Sequence, residues 1–177
     1  SYSIEVTGGD GCFVYINQQD PQIQYTSYVY NQYRRSTNGG QTWSSVNLSG
    51  SQGLFVNPFD YDDAQNIMYA SNGANALRRW PNANTANTST VLTTTTLGGG
   101  NASAFKVSPY TPNRVFIGSS NGRLIRLDNA NTVTAADIAA NVTDIRGATF
   151  PNGNINCINT GTSDQYLVAI FTNYGIS

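Results

Sequence analysis

A chain of 177 residues with nine basic and ten acidic side chains is long enough for one domain with a sizeable core. Only 11 % of it is charged, against roughly a quarter in an ordinary soluble chain, so its polarity comes from Asn, Thr, Ser, Gln and Gly, which suit turns and strands better than helices. With no histidine, a Ser-His-Asp triad, histidine acid–base chemistry and most zinc sites are excluded, and a single lysine, Lys106, with a net charge of −1, leaves no basic stripe for nucleic acid.

In chain order, the opening "SYSIEV" (1–6) reads as the outer or closing strand of a preceding unit, and the start at Ser1 reads as a processed or excised segment. "GGDG" (8–11) surrounds a lone aspartate with glycines just before the strand "CFVYIN". The turn "QQDPQ" follows, then "IQYTSYVY", a short turn near Asn31, "YRRS", the turn "TNGG" and the strand "TWSSVN". A second unit contains "DYDD" (60–63) and "IMYAS", and a third contains "SPYTP" and "VFIGS". "DYDD" aligns with the turns "QQDP" and "SPYTP" and is expected to be a solvated turn. Its acidic density also invites a calcium reading, which needs several oxygens at close spacing.

"TAADIAANV" (134–142) is the one helix-like stretch and reads equally as an alanine-rich loop. "NINCINTGTSDQYLVAIFTN" then opens a fourth unit, in which the chain stops. Cys12 and Cys157 lie in apolar, strand-like runs and are expected as two buried free thiols ahead of a disulfide. Sequons at Asn47, Asn87, Asn101 and Asn141 are what so Asn- and Thr-rich a chain produces by chance. No apolar run approaches the ~20 residues of a membrane span.

The units are repeats. Anchored on Tyr25, Tyr69 and Phe116, an arginine recurs at a fixed offset as Arg35, Arg79 and Arg126. A bulky residue recurs as Tyr33, Leu77 and Leu124, and an asparagine as Asn38, Asn82 and Asn129. Each unit reads as four strands separated by turns, at the 40–50-residue spacing of a β-propeller blade. The expected fold is all-β, an incomplete propeller of four-stranded antiparallel blades in one segment, with approximate blades at 10–50, 54–98, 103–145 and a partial one at 153–177. A β-sandwich of similar strand number is the rival.

"STNGGQTW" (36–43) resembles the Asp-box, or BNR repeat, Ser-x-Asp-x-Gly-x-Thr-Trp, in Ser36, Gly40, Thr42 and Trp43, with Asn38 where the family prefers aspartate. "WPNAN" and "LDNAN" keep only the asparagine. "GGDGCFVYINQQDPQIQY", "NPFDYDDAQNIMYAS" and "VSPYTPNRVFIGSSNGRLIRL" are similar to successive blades of secreted BNR-repeat proteins, a superfamily that includes sialidases, xyloglucan-cleaving hydrolases and sortilin-type receptors. The resemblance implies secretion or display at the cell surface. It also implies that the Asp-box is a structural hairpin between the third and fourth strands, away from the substrate face. It calls for no cofactor and no metal.

In the sugar-cleaving relatives a similar glycine-flanked aspartate supplies a catalytic carboxylate, which makes Asp10 the candidate here; the alternative is that Asp10 caps a turn. Glycoside hydrolysis needs two carboxylates, roughly 5–9.5 Å apart, and the sequence names no partner for Asp10. The recurring arginines look architectural, and the Arg-Ile-Pro motif expected of a sialidase is missing. Tyr28, Tyr30 and Tyr33 could stack on sugar rings or simply pack. The leading expectation is a segment of a secreted, carbohydrate-active, glycoside hydrolase-like propeller with a polysaccharide or glycan partner. The alternative is a non-catalytic binding or adhesion scaffold, and open blade edges are expected to self-associate or to meet remaining blades.

Overall fold

Short β-prone runs broken by Asn, Gly, Asp and Pro cannot build long helices, and the chain folds almost wholly as strands. The computed structural model describes residues 5–48 and 52–172. The first unit forms β1 (Val14–Ile16), β2 (Gln24–Ser27), β3 (Gln32–Ser36) and β4 (Ser44–Asn47). The second forms β5 (Phe59–Asp62), β6 (Ile67–Ser71), β7 (Ala76–Trp80) and β8 (Thr90–Thr93). The third forms β9 (Ala102–Val107), β10 (Val115–Ser119), β11 (Leu124–Leu127) and β12 (Val142–Asp144), with the one-turn helix α1 (Ile138–Asn141) before β12. The helix-like stretch at 134–142 therefore supplies α1. The fourth unit contributes β13 (Ile155–Thr160) and β14 (Leu167–Phe171).

Neighbours in sequence are neighbours in space. Three antiparallel sheets run β1-β2-β3-β4, β5-β6-β7-β8 and β9-β10-β11-β12, and β13 pairs with β14. These are the blades of an incomplete, unclosed all-β propeller. Residues 1–4 of the expected closing strand, and 173–177 of the fourth unit, lie outside the described residues.

The register explains the repeat. Tyr25 faces Arg35, Tyr69 faces Arg79 and Phe116 faces Arg126, each pair directly opposite across the second and third strands of its blade. A fixed offset along the chain is thus one hairpin register copied three times. Because side chains alternate between the two faces of a strand, the second and third blades each bury one face against the blade before and the other against the blade after. Three apolar cores follow, one per seam. The first gathers Tyr25, Tyr33, Tyr61, Met68 and Trp80. The second gathers Tyr69, Leu77, Leu97, Ile117, Ile125 and Leu127, and the third Phe116, Leu124, Ile155 and Ile158.

Sandwiched between neighbours, β6 and β10 are buried along their whole length. By contrast β14, with no sheet beyond it among the described residues, is only half-buried or exposed along its length. Gly118 in β10 is where the third seam is tightest: a Cβ there would sit 2.5 Å from Ile155 Cγ2.

The recurring arginines tie the outer parts of the blades together. Arg35 Nη1 donates to the carbonyls of Ala83 (2.8 Å) and Ala86 (2.9 Å) in the second blade, and its guanidinium lies 5.9 Å from the Trp80 ring centre. Arg79 repeats this on the third blade, donating to Ala130 O (3.0 Å) and Val133 O (2.8 Å). Arg126 instead uses Nε on Asp128 of its own blade (2.8 Å).

Candidate functional site

The blade ends form two sets of loops. The β3–β4 turn donates to the β1–β2 turn through Gly39 N–H and Gln22 O (3.0 Å), and later blades repeat this as Ala83 to Asn66 (2.9 Å) and Ala130 to Asn113 (2.8 Å). These turns share one face. The other end carries the β2–β3 turns and the segments entering the inner strands, joined by Cys12 N–H to Ser27 O (3.2 Å).

On the first face, the residues singled out by the Asp-box resemblance form one hydrogen-bonded turn. Ser36, buried at the end of β3, accepts from Gly40 N–H (2.9 Å) and Asn38 N–H (3.3 Å) and donates to Asn38 Oδ1 (3.0 Å). Asn38 Oδ1 accepts from Thr42 N–H (2.9 Å), and Asn38 Nδ2 donates to Thr42 Oγ1 (2.9 Å). Gly39 and Gly40 take φ of 66° and 85°, a region that costs little only without a Cβ. Trp43 is half-buried and donates from Nε1 to Gly40 O (3.0 Å). The side-chain hydrogen bonds of Ser36, Asn38 and Trp43 close within the turn, while Gly39 N–H reaches Gln22 O of the β1–β2 turn, so the motif's chemistry is conformational. The later copies turn differently: Asn82 and Asn129 take φ of 49° and 51°, a region asparagine tolerates better than most residues, where the first copy places Gly39 and Gly40 in that region instead.

Asp10 lies at the opposite end of the blade, exposed, in an irregular segment before β1. Glu5 lies close by in the same segment, with its carboxylate against Gly8: a Cβ on Gly8 would fall 2.5 Å from Glu5 Oε1. Cys12 Sγ contacts the Asp10 carbonyl (3.0 Å). Cys12 is half-buried and Cys157 exposed, and both are free, so the expectation of two buried thiols holds for their free state and not for their burial.

The "DYDD" segment is not a solvated turn. Phe59–Asp62 is strand β5, and Asp62 is buried, capping the β5–β6 turn by accepting from Ala64 N–H (3.1 Å) and Gln65 N–H (3.0 Å). Asp60 bridges blades: Oδ2 accepts from Val107 N–H on β9 (2.7 Å) and Oδ1 from Tyr61 N–H (2.9 Å). Burial pushes its carboxyl above the ordinary range, partly countered by those two N–H groups. Asp63 Oδ1 accepts from Tyr15 OH (3.1 Å) and Gln18 N–H (3.1 Å) of the first blade, and burial raises it too. Among the described residues no group of three or more His, Cys, Asp or Glu is placed to hold a metal.

These carboxylates line a cleft of about 430 Å³ where the β1–β2, β5–β6 and β9–β10 turns converge. Tyr15, Gln18, Gln65, Lys106, Tyr110 and Asn113 share its wall. Tyr110 is half-exposed and held at its hydroxyl by Gly161 O. Tyr15 is fixed by Asp63, and burial together with that carboxylate pushes its phenol far above the ordinary range, so it stays neutral. Three blades thus bring two aromatic side chains, amides, a lysine and carboxylates to one opening. The alignment of "QQDP", "DYDD" and "SPYTP" marked the three segments that meet here, but not the cleft itself, because they lie some 45 positions apart along the chain and meet only when the blades pack. Of the tyrosines singled out earlier, Tyr33 is buried in the first seam, Tyr30 takes φ of 56° in the β2–β3 turn, and Tyr28 is exposed.

A second polar centre, also unmarked in the sequence, is buried at the opposite end of the first seam. Asn31 Nδ2 donates to Gln52 O (3.0 Å) and Ser71 O (2.9 Å), while its Oδ1 accepts from Tyr33 OH (3.0 Å) and Asn57 Nδ2 (3.1 Å). Beside it Arg78, buried among neutral partners, donates to Asn72 and Ser89, and burial lowers its pKa. These groups are satisfied internally and tie the β2–β3 turn of the first blade to the segment entering the second. Among the described residues no helix is long and apolar enough to cross a membrane. Compared with known protein families and with curated proteins, the chain matches none.

Proposed function

We propose that this chain is a sector of a BNR-type propeller that binds glycan without cleaving it, acting outside the cell as a recognition or adhesion scaffold. The observation that carries this reading is the state of the carboxylates in the three-blade cleft. A glycosidase needs one carboxyl group free to give up a proton and another free to attack or to activate water. Both Asp60 oxygens are held by backbone N–H groups, and Asp63 accepts from Tyr15 and Gln18. They brace blades. The same cleft is well suited to hold a sugar: its volume falls within the ~300–1,000 Å³ of ordinary ligand pockets. Tyr110 offers an anchored ring to the apolar face of a pyranose, and Gln18, Gln65 and Lys106 offer hydrogen bonds to its hydroxyls. The cleft lies on the Asp-box face, whereas the family's substrates are expected opposite, so the reading departs from the relatives in place as well as in chemistry.

Hydrolysis with Asp10 as the acting carboxylate is the second reading, favoured by its exposure on the face opposite the Asp-box and by the nearby Glu5. Calorimetric titration of the full chain with a panel of plant and sialylated oligosaccharides separates the two. Saturable binding that Tyr110→Ala weakens by about fivefold or more, unchanged in Asp10→Asn and without release of reducing sugar, is the expected result. Reducing-sugar release lost in Asp10→Asn would replace it with the hydrolase. No binding to any glycan would remove both.

A further inference from the structure

Four Asn-Gly dipeptides occur in the chain, at 38–39, 72–73, 121–122 and 152–153. The pairing is chemically labile, because glycine has no Cβ to hinder the approach of its backbone nitrogen to the asparagine side-chain carbonyl carbon. The fold holds the four in very different ways.

Three are tied down. Asn38 Oδ1 accepts from Thr42 N–H (2.9 Å), its Nδ2 donates to Thr42 Oγ1 (2.9 Å), and Gly39 N–H donates to Gln22 O (3.0 Å). Asn72 is buried, and its Oδ1 accepts from Arg78 Nε (3.0 Å) and Nη2 (2.6 Å). Asn121 accepts from Ser119 Oγ (2.5 Å) and donates to Gly98 O (2.6 Å), while Gly122 N–H donates to Ser119 O (3.2 Å). Asn152 differs. It is exposed in the irregular connection between β12 and β13, and among the described residues neither its side chain nor the Gly153 N–H makes a hydrogen bond.

We propose that Asn152 is the site at which the native chain deamidates. The Gly153 nitrogen gives its proton to water or hydroxide and attacks Asn152 Cγ. A bond forms between that nitrogen and Cγ, the Cγ–Nδ2 bond breaks, and Nδ2 takes protons from water and leaves as ammonia. Water then opens the five-membered succinimide at either carbonyl, which leaves aspartate or isoaspartate at position 152. At the other three positions the reacting groups must first leave their partners. Giving up two such hydrogen bonds slows the attack by about tenfold or more.

The place of the site gives the change a structural consequence. Residues 151–153 lie so close to the β10–β11 turn that a Cβ on Gly122 would fall 2.8 Å from Pro151 O and Gly153 N and 3.0 Å from Asn152 Cα. An isoaspartyl link adds a methylene to the main chain at this contact, just before Ile155 enters the third core, so conversion loosens that seam. Asn152 takes no part in the cleft, and the proposal is independent of the glycan reading.

The test ages the full 177-residue chain in mildly alkaline buffer, folded and unfolded in urea, and follows each Asn-Gly pair by peptide mapping with tandem mass spectrometry. In the folded chain Asn152 should convert first, with Asn38, Asn72 and Asn121 slower by about tenfold or more; in urea all four should convert at comparable rates. The separated isoaspartyl chain should exchange amide hydrogens faster in β13 than the fresh chain. Equal rates at all four sites in the folded chain, earlier conversion at any of the other three, or an intact Asn152 under folded conditions that convert it in urea would each overturn the proposal. Unchanged exchange in β13 would overturn the consequence drawn for the third seam.

Discussion

Replacing Arg79 by Met isolates the inter-blade clasp, since methionine keeps much of the apolar stem and removes the guanidinium. Arg79 Nη1 donates to Ala130 O at 3.0 Å and Val133 O at 2.8 Å, and both carbonyls belong to residues of the buried second core. Hydrogen bonds from a charged donor contribute ~1.5–3 kcal/mol each. Arg79 Nε is already buried without a partner, and removing it recovers ~1–2 kcal/mol of that desolvation cost. The expected net loss is about 2–4 kcal/mol. In a chain of this size each kcal/mol moves the midpoint by ~2–4 °C, so thermal unfolding followed by circular dichroism should fall by about 4–16 °C. Arg126→Met is the internal control. It carries the same residue type at the same repeat position, yet its partner is an in-blade carboxylate and its side chain is 35 % exposed. Such a pair contributes ~0–1 kcal/mol, and the midpoint should barely move. Equal shifts for the two variants, or a neutral Arg79→Met, would refute the claim that seam contacts and not the recurring residue itself carry the stability.

Ser36→Ala removes a buried hydroxyl that accepts from two backbone N–H groups of an otherwise largely exposed turn, and urea titration should show a loss of ~1–2 kcal/mol. Gly118→Ala forces a methyl group to within 2.5 Å of Ile155 Cγ2 and should cost ~1–3 kcal/mol by the same titration; Ile155→Ala in the same chain should cost less in the Gly118→Ala background than alone, and strict additivity would argue against the clash. Asp60 is raised by burial, so its contribution to stability is fully present below its unfolded value of 3.8 and is lost as pH rises through the folded value. The stability advantage of the native chain over Asp60→Asn should therefore be greatest near pH 3 and shrink toward pH 7. An advantage that grows with pH would show that the Val107 and Tyr61 N–H groups outweigh desolvation.

The all-β class and the blade period were legible in the chain because they are local. Strand-forming runs, turn residues and one hairpin register recur, and the register that pairs Tyr25 with Arg35 appears in sequence as a constant offset. The turn at 36–43 was legible for the same reason, since Ser36, Asn38, Gly40, Thr42 and Trp43 bond mostly to one another within a single turn. What the arginines do was not, because Ala83, Ala86, Ala130 and Val133 become their partners only when one blade packs against the next. "DYDD" was misjudged on the same grounds: an acidic run looks solvated until β9 brings the Val107 N–H to Asp60. Cys157 sits in an apolar run that promises burial, yet it falls on a face of β13 that no described strand covers. Hydrogen bonds that close within a few residues leave a pattern in the sequence. Those that close between blades depend on which sheets meet, and only the tertiary structure decides that.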